Sequence, residues 1–179
     1  MAHLYIVLTN SGTIPGRMVQ RVTHFPYGHA MLSFTPDCDR MYSFGRRRVH
    51  SLLNGGFVEE RRDGPFFTAF SDTTCQILCL NVTEAQRAEV RKQIDHFLAN
   101  QQLYNYDYFG FFLRYFRMKR TFERRFVCSH FVAEMLERAG IYHFPQGVML
   151  VRPGDFWRIP GIRCICEGKL ADLPRNGEE

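Results

Sequence analysis

The sequence predicts a single α+β domain in which a mostly antiparallel sheet packs against helices. The chain has 179 residues, close to the roughly 150 residues typical of one domain, so residues 1–179 are assigned to one unit. Apolar runs of strand length dominate residues 1–82. Two amphipathic helical patterns follow, and one short apolar run near the C-terminus is a further strand candidate.

The composition is that of a globular protein. Hydrophobic residues make up 45% and charged residues 23% of the chain, which argues against intrinsic disorder. The six cysteines contain no C-x-x-C pair, so they predict neither a disulfide scaffold nor a structural zinc site. The sequence shows no signal-peptide pattern and no apolar run of about 18 residues. We therefore expect a reduced, cytoplasmic protein.

Strand patterns fill the first half of the chain. Residues 3–9 (HLYIVLT) predict the first strand, and residues 15–22 (PGRMVQRV) predict a short helix after a turn. Residues 29–34 (HAMLSF) and 41–44 (MYSF) flank the turn sequence TPDCDR and predict a hairpin. Further strands are predicted at residues 57–59, 66–70 and 75–82.

Two helices are predicted for the second half. Thr83 is an N-cap candidate and Gln86 stands at the capping-box position, so the first of them is expected to begin here. Residues 127–139 (VCSHFVAEMLERA) predict the second helix, which Gly140 ends. Two further elements are a helix candidate at residues 109–116 and a last strand at residues 163–166 (RCIC).

Cys128 is the first candidate for chemistry. It stands in the first turn of a predicted helix, three residues after Arg125 of the basic pair Arg124 and Arg125. The partial positive charge of a helix N-terminus and nearby guanidinium groups both favour the thiolate, which is the nucleophilic form. The free N–H groups of the same turn suit an oxyanion. The alternative is a buried cysteine that packs as a small apolar side chain, and the residues alone leave both interpretations open.

His29 is the candidate base for this thiol. The chain has seven histidines, and His29 stands out because it follows Gly28 at the start of a strand expected to be central. A rigid strand holds an imidazole in one orientation. A purely structural or exposed histidine is the alternative at this position.

The order of these segments resembles a known enzyme family. The relevant residues are 22–34 (VTHFPYGHAMLSF), 41–45 (MYSFG) and 126–140 (FVCSHFVAEMLERAG). They resemble the circularly permuted branch of the NlpC-type papain-like cysteine hydrolases, which includes YiiX-like proteins and the lecithin-retinol acyltransferase group. In that branch the histidine strand precedes the cysteine helix. The resemblance covers nearly the whole chain and implies a permuted papain-like core, with the sheet packed against the helix that carries the nucleophile.

The resemblance also implies roles for single residues. Cys128 matches the nucleophile and His29 the base. Ser43 matches a third polar position, often His, Asn or Glu in the family, and its hydroxyl can accept the imidazole N–H. Tyr106 resembles a tyrosine that helps to hold the oxyanion in related non-permuted enzymes, and Tyr108 is the second choice; core packing is the alternative for both rings. No metal or cofactor is implied.

The sequence therefore predicts a thiol-dependent hydrolase that cleaves an amide bond, peptide or isopeptide-like, through an acyl-enzyme on Cys128. Two alternatives remain. One is a lipid acyltransferase or thioesterase that uses the same Cys–His pair on an acylated small molecule or lipid. Its support is the aromatic and basic run at residues 109–125, of which residues 114–125 (RYFRMKRTFERR) could contact an anionic membrane surface. The other is a catalytically weak binding module on the same fold. Nucleic acid is not expected as a partner, and the oligomeric state is left open.

Overall fold

The strands of the computed structural model, which describes residues 1–49, 51, 54–107 and 124–173, form one curled sheet. In chain order they are β1 Ala2–Asn10, β2 His29–Ser33, β3 Arg40–Arg46, β4 Gly55–Arg61, β5 Thr74–Val82, β6 Asn105–Tyr106, β7 Arg125–Phe126 and β8 Arg163–Lys169. Their order across the sheet is β7-β6-β4-β3-β2-β1-β5-β8. Neighbouring strands are antiparallel, apart from β6 and β7, which run parallel. The predicted class, α+β with a mostly antiparallel sheet, is confirmed.

The helices are α1 Ile14–Thr23, α2 Pro65–Ala69, α3 Glu84–Ala99 and α4 Cys128–Arg138, with short 3-10 helices at Gln101–Leu103, Val148–Leu150, Pro153–Arg158 and Leu170–Asp172. The long helix α3 packs against β1 and β4, and α4 packs against β2 and β3. Within the described ranges, no helix combines the length and the apolarity that crossing a membrane requires.

The two faces of the sheet bury separate sets of side chains. The face against α3 and α4, here called the helix face, carries Leu32 and Phe44. The opposite face, here called the second face, carries Met31 and Met41 and is covered in part by Phe67 of α2. Because successive side chains of a strand point to opposite faces, these assignments also give the direction of their neighbours along each strand.

Most of the predicted elements are present. Residues 29–44 form the predicted antiparallel hairpin of β2 and β3. The predicted capping box starts α3: the Thr83 hydroxyl accepts the Gln86 N–H at 3.1 Å, and the Gln86 side chain accepts the Thr83 N–H at 2.9 Å. Gly140 follows α4 with a φ of +62°, the left-handed conformation that commonly ends helices.

The strand predicted at residues 66–70 is wrong, because this segment lies in helix α2. Pro65 occupies the first turn, where its fixed φ suits a helix and its missing N–H is not needed. The rings of Phe66 and Phe70, four residues apart, lie 5.0 Å from each other, as neighbours on one helix side do. The apolar residues of this segment follow the helical period and not the alternation of a strand.

Phe44 of β3 stands at the centre of an aromatic cluster on the helix face. Its side chain is fully buried. The ring centroids around it lie at 4.9 Å for Phe126, 5.4 Å for Phe131, 5.8 Å for Phe57 and 5.9 Å for Phe97. These rings belong to β7, α4, β4 and α3. The cluster, here called the Phe44 cluster, therefore joins both long helices to the sheet.

We expect Phe44→Ala to lower the free energy of unfolding by about 3–5 kcal/mol, because the change leaves a cavity where several elements meet. Phe44→Leu is expected to lose less, since it keeps more of the volume. Phe66→Ala, at a half-buried ring on the second face, is the matched control with a smaller loss. Urea unfolding followed by circular dichroism measures all three; equal losses for Phe44→Ala and Phe66→Ala would contradict the central place of Phe44.

Candidate functional site

Cys128 is the first residue of α4, where the sequence placed it. The preceding N-cap residue, Val127, carries no side-chain acceptor that could occupy the first N–H groups of the helix. Cys128 stands one turn before Phe131 and Val132, both in the core of the helix face, and only 6% of its surface is exposed. The next residue, Ser129, fixes the start of the helix by donating its hydroxyl to the Val151 carbonyl at 2.6 Å.

The direction of α4 places Cys128 at the end of the sheet where β2 begins. At the other end, Gln86 donates to the Gly140 carbonyl at 2.9 Å, and its neighbour Arg87 donates to the Phe34 carbonyl at 3.1 Å. The C-terminus of α4 therefore lies near the end of β2. The 11 residues of α4 span about 16 Å, which is also about the length of β2. Cys128 and His29 consequently lie at the same end of the sheet.

The backbone ladder between the two central strands stops short of this end. The ladder between β2 and β3 consists of the pairs Leu32–Tyr42 and Ser33–Met41. Nearer to His29, the fully buried hydroxyl of Ser43 donates to the Ala30 carbonyl at 2.7 Å. A side chain thus makes the bond between the strands where the backbone ladder has ended. We call the space between β2 and β3 beyond this bond the opening.

This arrangement gives no support to the role predicted for Ser43. The described residues contain no hydrogen bond between the Ser43 hydroxyl and His29. Continuing the β2–β3 register past its last pair sets Gly45 and not Ser43 opposite His29. Ser43 stands two residues before that position, and its role stays a prediction.

Strand alternation assigns His29 to the second face, because it stands two residues before Met31. Cys128 belongs to α4, which covers the helix face. The thiol and the imidazole therefore approach this end of the sheet from different faces, and the opening between β2 and β3 lies between them.

Glu60 of β4 is a second titratable group beside His29, and the sequence analysis missed it. A β-carbon built on Gly45 would lie 3.8 Å from His29 Cε1, 3.9 Å from Glu60 Oε1 and 3.4 Å from Val58 Cγ2. The imidazole and the carboxyl group thus border the same space over Gly45. Glu60 Oε2 is buried and has no hydrogen-bond partner. The sequence signal was weak, since Glu60 follows another glutamate in a strand with no distinctive spacing.

Burial and one arginine set the charges of this pair. Burial, together with the nearby guanidinium of Arg46, lowers the pKa of His29 to about 4. Burial raises the pKa of Glu60 to about 7, against the opposing effect of Arg46. At neutral pH the imidazole is uncharged and can accept a proton, while the carboxyl group is close to its midpoint.

The tyrosine segment runs beside the strand that leads to Cys128. Tyr106 of β6 pairs in parallel with Phe126 of β7, and the Asp107 N–H donates to the Phe126 carbonyl at 2.9 Å. Tyr106 is half-buried and Asp107 is fully buried. Asp107 is a further acidic residue that the sequence analysis missed, although it stands between two tyrosines that were singled out. Tyr108 and the helix predicted at residues 109–116 lie outside the described residues.

The other thiols have different surroundings. Cys79 Sγ lies 3.7 Å from His3 Nδ1, but burial raises the pKa of this thiol, against the opposing effect of Arg163. Burial also raises the pKa of Cys38 and of Cys75. Cys164 of β8 is exposed. In the described part of the chain, no three Cys, His, Asp or Glu side chains converge as a metal-ligand set.

We expect Glu60→Gln to stabilise the protein increasingly as the pH rises. The pKa of Glu60 is raised from 4.5 to about 7 on folding, so between these values the folded protein retains a proton that the unfolded chain releases, and wild type loses stability with rising pH. The Gln variant lacks this loss. Its free energy of unfolding should match that of wild type near pH 4 and exceed it by on the order of 2 kcal/mol at pH 8.

Urea midpoints measured from pH 4 to pH 8 check this expectation. Glu59→Gln is the control, since Glu59 is partly exposed and lies 3.2 Å from Arg40. A constant difference between Glu60→Gln and wild type over this range would show that Glu60 keeps an ordinary pKa.

Comparison with known proteins adds no family to this geometry. No family model matches the chain, and neither does any curated protein or solved structure. The resemblance to the permuted papain-like hydrolases therefore rests on the sequence segments quoted above, and function is argued from the residues of the site.

Proposed function

We propose that the protein is a thiol-dependent hydrolase that cleaves an amide bond, peptide or isopeptide-like, with Cys128 as nucleophile and His29 as base. One observation carries the proposal: the first residue of a core helix is a cysteine, and it lies at the end of the sheet where a strand begins with a neutral imidazole. The histidine strand precedes the cysteine helix in the chain, as in the permuted papain-like order. Because the two side chains approach from different faces of the sheet, the proposal requires them to meet beyond the end of the β2–β3 ladder.

The reaction proceeds in two steps. Cys128 Sγ attacks the carbonyl carbon of the amide while its proton passes to His29. Backbone N–H groups at the start of α4 stabilise the oxyanion, with Tyr106 as a further donor. The C–N bond breaks, and the leaving amine takes the proton from His29. Water, deprotonated by His29, then attacks the thioester, so that the acid is released and the thiol is restored.

The proposed substrate class is a peptide or an isopeptide-like amide. Transfer of a lipid acyl group would use the same two residues, but the aromatic and basic run that favoured it lies mostly outside the described residues. A weak binding module on the same fold would keep the buried Cys128 without its reactivity. A reactive Cys128 thiol distinguishes either enzyme from the binding module. Activity on liposomes distinguishes the lipid acyltransferase from the amide hydrolase.

The first test is the rate of alkylation of each cysteine by iodoacetamide between pH 5 and pH 10, with the labelled sites identified by mass spectrometry. We expect Cys128 to react with an apparent pKa below the free-thiol value of about 8.5. His29→Gln is expected to raise that pKa, because it removes the proton acceptor. His143→Gln, at an exposed imidazole next to Glu137, is the matched control with no effect.

The exposed Cys164, whose pKa is raised by partial burial, serves as the internal standard for a thiol without activation. Selective labelling of Cys128 would lead to a second measurement, in which an activated ester such as p-nitrophenyl acetate transfers its acetyl group to Cys128 in wild type and not in Cys128→Ser. If Cys128 reacts no faster than Cys164 in the folded protein, the thiol is a packing residue and the catalytic proposal fails.

A further inference from the structure

A buried carboxylate oxygen without a hydrogen-bond partner needs an explanation, and Oε2 of the half-buried Glu60 is such an atom. Its neighbour Glu59 points to the opposite face of β4 and pairs with Arg40 at 3.2 Å. Glu60 is directed to the second face, where its Oε2 is buried and has no hydrogen-bond partner. Leaving a buried acceptor unsatisfied is unfavourable, and such groups are concentrated at sites with a functional role.

The space next to Glu60 is the space next to His29. Both side chains come within 4 Å of the position that a β-carbon on Gly45 would occupy, at 3.9 Å for Glu60 Oε1 and 3.8 Å for His29 Cε1. Gly45 lies on the strand between β2 and β4. Its missing side chain leaves room above β3 for a contact between groups on the two neighbouring strands.

We propose that Glu60 is the positioning residue of His29, in the role that the resemblance assigns to Ser43. The described residues contain no hydrogen bond between Glu60 and His29, so the contact requires the Glu60 side chain to turn across Gly45. The carboxylate then accepts the imidazole N–H and fixes the orientation of the ring. The inference deepens the proposed hydrolase function and rests on it for its catalytic meaning. Glu60 itself touches neither the substrate nor the thiol.

The charges of the site are consistent with this role. Among the described residues, the charged neighbour that affects the pKa of both His29 and Glu60 is Arg46 on β3. Arg46 favours the ionised form of Glu60 and disfavours the imidazolium. An ionised carboxylate beside His29 opposes that second effect, so it raises the basicity of an imidazole that burial alone makes a weak base. When His29 takes the proton of Cys128, the carboxylate stabilises the resulting imidazolium.

The test is the titration of the His29 ring, followed by NMR of histidine-labelled protein from pH 3.5 to pH 9. It is carried out in the Cys128→Ser background, so that its outcome is independent of any reaction of the thiol. We expect the His29 Cε1–H resonance to shift near pH 7, where Glu60 ionises, and again when the ring itself is protonated. Glu60→Gln should abolish the step near pH 7 and lower the midpoint of ring protonation by about one unit.

Two controls separate this contact from a general effect on packing. Glu59→Gln, at the exposed neighbour, should leave the His29 titration unchanged. Ser43→Ala should also leave it unchanged, although it removes the bond to Ala30 and lowers stability. Gly45→Ala places a methyl group between the two side chains at ordinary contact distances and should weaken the step near pH 7 while both titratable groups remain.

The outcomes distinguish this inference from the proposed function. If Glu60→Gln and wild type give superimposable His29 titrations, Glu60 does not position the ring, whatever Cys128 does. If the titrations are coupled but Cys128 shows ordinary alkylation, the Glu60–His29 pair stands and the hydrolase proposal fails. If Glu60→Gln does not fold, an unchanged titration in Gly45→Ala overturns the inference.

Discussion

The Phe44 cluster is the packing interaction on which the candidate site depends. Phe44 lies on a central strand, and the rings around it come from β4, β7, α3 and α4. Aromatic side chains bury a large area each, and their edge-to-face contacts restrict how neighbouring elements can cross. Phe131 in this cluster is one turn from Cys128, so the same contacts that bury the core also set the position of the thiol over β2 and β3.

The end of the sheet near Cys128 is less regular than the core. The backbone ladder between β2 and β3 gives way to a side-chain bond from Ser43 to Ala30. The strand opposite His29 carries a glycine, and the next strand brings a carboxyl group into the same space. A backbone ladder that ends early and a buried acceptor without a hydrogen-bond partner are both departures from the most stable arrangement. Such departures are concentrated where a protein binds or reacts.

Burial controls the chemistry of this end more than pairing does. It lowers the pKa of the imidazole and raises that of the carboxyl group, so each tends towards its neutral form. Near neutral pH the two groups can then share one proton, which an isolated carboxyl group in water would already have lost. The base of the proposed hydrolase is therefore an imidazole whose strength, in the inference drawn above, depends on a carboxyl group two strands further along the chain.

The sequence by itself determined the elements and the two main candidates. Alternation and turn residues predicted β1, β2, β3 and β5, and the Thr83–Gln86 spacing predicted the start of α3, because these signals are local. Cys128 and His29 were found for the same reason, since a helix start and a strand start are visible along the chain. The proposed contact between His29 and Glu60 was not visible along the chain, because it depends on strand order and on where a ladder ends. Only the tertiary structure sets Gly45 opposite His29 and brings Glu60, from a separate strand, into the space that the glycine leaves.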